Sequence, residues 1–74
     1  MQLRITTERL QRRWSQAELA RRAHMNPNTI SLIESGRFRP YPSQLRKLAA
    51  ALGLASSEAD DLLAHRALGD EVHP

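Results

Sequence analysis

Two helix starts stand eleven residues apart in the first half of the chain, and that spacing constrains every element around them. Ser15-Gln16-Ala17-Glu18 has the form of a capping box. The Ser15 hydroxyl accepts from the Glu18 backbone N–H, and the Glu18 side chain reaches back to the N–H of Ser15. Trp14 before the cap and Leu19 at the fourth helical position are spaced as a hydrophobic staple, and good helix formers carry the helix over residues 16–23. Asn26 is a strong N-cap for a second helix, with Pro27 at a first position that needs no N–H. Met25 and Ile30 repeat the staple, and Gly36 closes this helix over residues 27–35.

A connection of about three residues is too short to fold two helices back antiparallel. They must cross at a large angle, as in a helix-turn-helix. Other helices flank the pair. The segment at 5–13 is polar, with Ile5, Arg9 and Leu10 toward one side. After a basic, proline-stiffened loop (Arg37-Phe38-Arg39-Pro40-Tyr41-Pro42), Pro42 opens a helix whose Leu45, Leu48, Ala49 and Leu52 form an apolar stripe, ended by Gly53. Ser56 or Ser57 then caps a fifth helix, with Glu58, Asp60 and Asp61 near its positive end and Leu62 and Leu63 for packing. Strand signals are nearly absent. The expected fold is all-α: one compact five-helix domain over residues 1–69, with a frayed tail at 70–74.

Size and composition narrow the chemistry. A chain of 74 residues buries only about 60% of the surface that its unfolded form exposes, so one core is all it supports. It has no cysteine, which removes disulfides, thiolate metal sites and cysteine nucleophiles together. No apolar run approaches the ~20 residues of a membrane span, and residues 1–4 do not read as the start of a signal peptide. His24, His65 and His73 lack ligand spacing, so neither a metal nor a cofactor is expected. No nucleophile–base pair, catalytic carboxylate pair or glycine-rich phosphate loop suggests an enzyme. A cytoplasmic, nucleoid-associated protein is the expectation. Trp14, Phe38 and Tyr41 suit core and loop packing better than a stacking platform for single strands.

The net charge of +3 conceals a split. Residues 1–52 hold ten Arg and Lys against three acids, and residues 53–74 hold one against five. A basic body of this kind suits a polyanionic partner. The helix at 27–35 provides the surface. Ile30 and Ile33 turn one way with Met25, into a core. Asn28, Ser31, Leu32 and Ser35 fall at i, i+3, i+4 and i+7, so they share the opposite face. That face is small, uncharged and able to hydrogen-bond, and Arg37 and Arg39 follow it. Such a helix suits the major groove of duplex DNA, with base edges in front and phosphates beside its ends.

Three blocks in order, Ser15-Gln16-Ala17-Glu18-Leu19-Ala20, Asn28-Thr29-Ile30-Ser31-Leu32-Ile33-Glu34-Ser35-Gly36 and Leu45 through Leu54 (LRKLAAALGL), resemble the Xre-type helix-turn-helix family. That family includes the DNA-binding domains of phage lambda repressor and Cro, and the resemblance covers residues 5–54. It implies a lambda-repressor-like domain that binds double-stranded DNA. Pro27, Asn28, Ser31 and Leu32 match base-facing positions, and Gln16, Ser35, Arg37 and Arg39 match phosphate-contacting ones. Arg9 and Glu34 match a pair that forms an internal salt bridge in several relatives, and Ala20 the small residue where the motif helices touch. Two departures stand out. His24 replaces a turn glycine that often needs positive φ, and Pro27 replaces a long polar base reader, which shifts specificity toward Asn28, Ser31 and Leu32. The implied function is a transcriptional repressor acting as a homodimer on a palindromic operator. Surplus leucines at residues 57–68 (Leu62, Leu63, Leu68) would form the dimer contact. The alternative is an antitoxin-like or adaptor module that meets another protein through its acidic C-terminal segment.

Overall fold

A computed structural model describes residues 2–66. Four α-helices follow one another: α1 (Arg4–Gln11), α2 (Gln16–Ala23), α3 (Pro27–Glu34) and α4 (Pro42–Ala51). A 3-10 helix (Ser56–Leu63) follows, and two short strands, β1 (Gln2–Leu3) and β2 (His65–Arg66), bring the two ends of the described residues together. They pair antiparallel, Gln2 opposite Arg66 and Leu3 opposite His65. The fold is all-α in its substance, a five-helix domain containing a helix-turn-helix. Residues 67–74, which hold Leu68, the end of the expected domain and the expected tail, lie outside the described residues.

Every α-helix ends in the same way. At its close one residue takes the left-handed conformation: Arg13 (φ 60°), His24 (φ 56°), Gly36 (φ 80°) and Gly53 (φ 74°). The next residue's N–H returns five positions to an orphan carbonyl: Trp14 to Arg9 (3.2 Å), Met25 to Ala20 (2.8 Å), Arg37 to Leu32 (2.9 Å) and Leu54 to Ala49 (2.8 Å). This is the Schellman pattern, which sates carbonyls left open by the last turn. His24 therefore adopts the positive φ of the glycine that it replaces. Arg13 does the same without a glycine or asparagine to announce it, and so α1 stops two residues earlier than the pattern at 5–13 suggests.

The starts are equally specific. The Ser15 Oγ accepts from the Glu18 N–H at 3.0 Å, and the Asn26 Oδ1 from the Asn28 N–H at 2.7 Å. The return half of the first box does not form. The Glu18 carboxylate instead takes Arg21 and Arg22, because a charged donor three or four residues on competes with a backbone N–H. Hydrogen bonds from Arg21 and then Arg22 hold the Glu18 carboxyl below its usual range. Arg22 also stacks over Trp14, 4.2 Å from the ring centroid.

One core collects a face from each helix: Ile5 of α1, Leu19, Ala20 and Ala23 of α2, Ile30 and Ile33 of α3, and Leu45, Leu48 and Ala49 of α4, with Leu52, Ala59 and Leu62. Trp14, Met25 and Phe38 pack against it half-buried. Two leucines depart from expectation. Leu10 is 49% exposed, since five residues at 3.6 per turn carry it about 140° round the helix from the buried Ile5. Leu62 is fully buried in its own core and Leu63 packs on it, so Leu62 is no surplus for a second copy.

The fifth helix is 3-10 and not α, and its cap is Ala55, not Ser56 or Ser57. Three residues per turn eclipse side chains at i and i+3. Ala59 and Leu62 thus share a buried line, while Glu58 and Asp61 share a line facing Arg4. The Arg4 fork spans both: Nη2 to Glu58 at 2.8 Å, Nη1 to Asp61 at 2.7 Å, with Nε to Glu8 at 3.0 Å. The Arg4 backbone N–H donates to the Ala64 carbonyl at 2.7 Å, so the residue after the 3-10 helix caps α1. Arg12 ties Glu8 to the end of α4 through the Leu52 carbonyl, at 2.6 Å.

Two tests follow from these contacts. A left-handed non-glycine residue costs roughly 1–2 kcal/mol, of which glycine's own entropy cancels about half. Both His24 and Arg13 are exposed, so His24→Gly and Arg13→Gly should each raise the melting temperature by about 2–6 °C. An unchanged or lower value would contradict the strain. The second test concerns acid. The bond from Arg4 holds the Glu58 carboxyl low; burial pushes Glu8 up, but Arg12 and Arg4 outweigh it and leave Glu8 low as well. Depressed carboxylates stabilise the fold above their unfolded pKa, near 4.3, and lose that contribution as pH falls through the folded values. Thermal melts of wild type and Arg4→Met should differ fully at pH 6 and converge below about pH 4. A gap that is constant with pH would rule out the linkage.

Candidate nucleic-acid interface

The outward side of α3 is built by what its inward side buries. Ile30 and Ile33 are sealed in the core, so Asn28, Ser31, Leu32 and Ser35 all stand exposed, as does Pro27 at the first position. Leu32 is 40% exposed, an apolar spot among polar neighbours. The Asn28 backbone N–H donates to the Asn26 Oδ1, and the Asn28 side chain itself makes no hydrogen bond among the described residues. The Ser35 hydroxyl donates to the Leu32 carbonyl at 3.0 Å. To donate elsewhere it must first release that carbonyl.

Behind this face lies an ion pair with little access to water. The Arg9 fork meets the Glu34 carboxylate with both arms, Nε to Oε2 at 2.8 Å and Nη2 to Oε1 at 3.1 Å. Their side chains are 12% and 7% exposed. The remaining Arg9 nitrogen, Nη1, donates to the Trp14 carbonyl at 2.8 Å, in the link between α1 and α2. Gln16, at the first position of α2, joins from the other side: its Nε2 donates to the Glu34 Oε1 at 3.0 Å. One carboxylate thereby touches three helices.

An open groove of about 560 Å3 runs over that carboxylate, bordered by Gln16, Ser31 and Ser35 on the α3 side and by Gln2 and Thr6 on the other. The structure thus brings Gln16, Ser31 and Ser35 together. Pro27, Asn28 and Leu32 lie outside the groove, and Arg9 lies beneath it with Glu34. Arg39 borders a smaller apolar cleft of about 140 Å3 with Leu3, Ile33, Phe38 and Leu63, while its charge stays exposed. Tyr41 is 65% exposed in the same loop and meets the Phe38 ring edge-on at 6.2 Å, so it belongs to the surface and not to the core.

The cations divide into two groups. Arg4, Arg9, Arg12, Arg21 and Arg22 each bond a carboxylate. Arg13, Arg37, Arg39, Arg46 and Lys47 are exposed and, among the described residues, have no carboxylate partner. The sequence marks Arg37 and Arg39 as anion-facing and gives no such mark to Arg13, Arg46 and Lys47. Their sequence signal is an absence. Arg13, Arg39, Arg46 and Lys47 have no acid three or four residues away, whereas Arg4, Arg12, Arg21 and Arg22 all do; Arg37 stands three residues after Glu34, whose carboxylate is taken by Arg9.

Removing one partner of a buried pair strands the other charge, which typically costs ~3–5 kcal/mol, against ~4–11 kcal/mol of total stability for a domain of this length. Urea unfolding of Arg9→Met should show a loss of that size, and the double variant Arg9→Met/Glu34→Leu should recover most of it. A single variant within about 1 kcal/mol of wild type would mean that the pair is not desolvated.

Comparison with known proteins agrees with this architecture. Residues 3–62 match the family model of a helix-turn-helix domain. Over 48 residues the chain is 40% identical to a protein of Neisseria meningitidis serogroup B (strain ATCC BAA-335 / MC58) described as a Neisseria hypothetical transcription factor. That match takes in 65% of this chain and 45% of the relative, so the chain spans less than half of the relative's length. No solved structure matches the chain. With the match running from β1 into the 3-10 helix, the chain belongs to the helix-turn-helix domain family, of the Xre type that its motif blocks resemble.

Proposed function

We propose that this domain is a sequence-specific, double-stranded DNA-binding transcriptional regulator. The observation that carries the proposal is the division of α3, with two isoleucines sealed inward and Asn28, Ser31, Leu32 and Ser35 exposed outward. The likeness to a relative described as a transcription factor supports it. Asn28 and Ser31 read base edges by hydrogen bonding, Leu32 meets a thymine methyl, and Pro27 packs against the groove wall. Arg37 and Arg39, exposed beside the helix end, neutralise phosphates, helped by Gln16 and, once it releases its carbonyl, by Ser35.

Regulation by repression is part of the proposal: a bound domain occludes promoter DNA. So is symmetry. One eight-residue helix with four outward side chains reads few base pairs, and a homodimer on a palindrome with half-sites about 34 Å apart doubles the sequence read. Of residues 57–64, Leu63 and the exposed Ser57 and Asp60 remain for such a contact. Within the acidic segment, Glu58 and Asp61 are bonded to Arg4 of the same chain, which makes those two acids a poorer docking surface for another protein.

Binding-site selection from random duplexes, followed by salt titration, tests the reading. A palindromic site is expected, with log K falling against log salt at about −0.9 per phosphate neutralised. Asn28→Ala should cost about 1–3 kcal/mol and relax preference at one base position, while Arg37→Ala should weaken all sequences alike and flatten the slope by about one. Failure to bind any duplex at low salt would refute the proposal. Identical behaviour of the two variants would refute the assigned roles.

A further inference from the structure

Gln16 has a single side-chain hydrogen bond among the described residues, to Glu34. That partner determines which end of the amide faces inward. A carboxylate accepts and never donates, so only the Gln16 nitrogen can face it. The alternative orientation would set the amide oxygen 3.0 Å from the Glu34 Oε1, oxygen against oxygen. With Nε2 held inward, one of its two N–H groups is spent on Glu34 and the second is left for an acceptor in the groove that Gln16 shares with Ser31 and Ser35. Arg9 makes this tolerable. Its two-armed contact neutralises a carboxylate that would otherwise lie bare beneath a groove meant for phosphate.

We infer that Glu34 is a positioning residue for DNA binding: it locks the Gln16 amide so that the second Nε2–H points to a phosphate oxygen. The inference rests on the DNA-binding reading of α3 and deepens it. An unlocked glutamine would have to be immobilised on binding, and only some of its rotations would aim an Nε2–H at the phosphate. Locking it in the free protein moves that ordering cost from binding to folding, an effect of roughly two- to tenfold in affinity. The sign is diagnostic. If Glu34 acted on DNA only through its charge, removing that charge would strengthen binding, because Arg9 would be released toward the phosphates.

The test is a double-mutant cycle in duplex affinity with wild type, Gln16→Ala, Glu34→Gln and the double variant. Glu34→Gln should weaken binding about two- to tenfold in the wild-type background and leave it unchanged in the Gln16→Ala background. An equal change in both backgrounds, or tighter binding by Glu34→Gln, would overturn the inference. Because Glu34→Gln disturbs a buried pair and risks unfolding, hydrogen exchange of the side-chain amides in the wild-type protein gives a second reading. The Gln16 amide protons should exchange at least severalfold more slowly than those of the exposed Gln11, and exchange as fast as Gln11 would overturn the inference. If the wild type binds no duplex at all, the DNA reading fails on its own, and the exchange measurement still reports whether Glu34 holds the amide.

Discussion

The contact between Arg9 and Glu34 sets the rotation of α3 about its own axis. An eight-residue helix is far below the length that is stable alone in water, so α3 exists only as it is packed. Its apolar inward side amounts to Ile30 and Ile33, and two side chains three apart leave some freedom of roll. The carboxylate of Glu34, one residue past Ile33, removes it, because Arg9 grips both oxygens and is itself tethered to the Trp14 carbonyl. Once that roll is set, Asn28, Ser31, Leu32 and Ser35 have nowhere to point but out. The surface offered to a partner is thus a consequence of a polar contact beneath it.

A second consequence concerns charge. Half of the described basic side chains are consumed by the fold itself. Arg4 clasps the closing 3-10 helix, Arg12 ties α1 to α4, Arg21 and Arg22 flank Glu18, and Arg9 holds α3. The excess of arginine in residues 1–52 therefore overstates the charge available to a polyanion. What remains available lies at Arg13, Arg37, Arg39, Arg46 and Lys47, and of these Arg37 and Arg39 directly follow the exposed face of α3. The chain's own acids sort the cations spent on the fold from those left exposed.

The parts of the fold legible in the sequence are those written in local chemistry. The bounds of α2 and α3 follow from Ser15, Asn26, Pro27 and Gly36, each of which acts within four residues of itself. The stripe of α4 and the outward set of α3 follow from the helical repeat alone. The unread parts share a different origin. Helix α1 begins where the Ala64 carbonyl caps it and ends where Arg13 takes a left-handed conformation that carries no residue signature. The closing helix became 3-10 in order to serve Ala59 and Leu62 on one line and Arg4 on another, and Arg4 lies more than fifty residues away. At the site, the outward residues and the Arg9–Glu34 pair were legible. The commitment of Gln16 to Glu34 was not, since spacing alone does not reveal where an amide finds its acceptor.

The central claim is that the outward side of α3 and the loop after it meet duplex DNA, and backbone amide chemical-shift mapping during titration with a selected duplex tests it most directly. The account predicts the largest changes at residues 27–39 and at Gln16, with little change at Leu48, Ala59 or Leu62 in the core. Saturable binding that leaves α3 unmoved and perturbs a surface elsewhere, such as Asp60 and its neighbours, would contradict it.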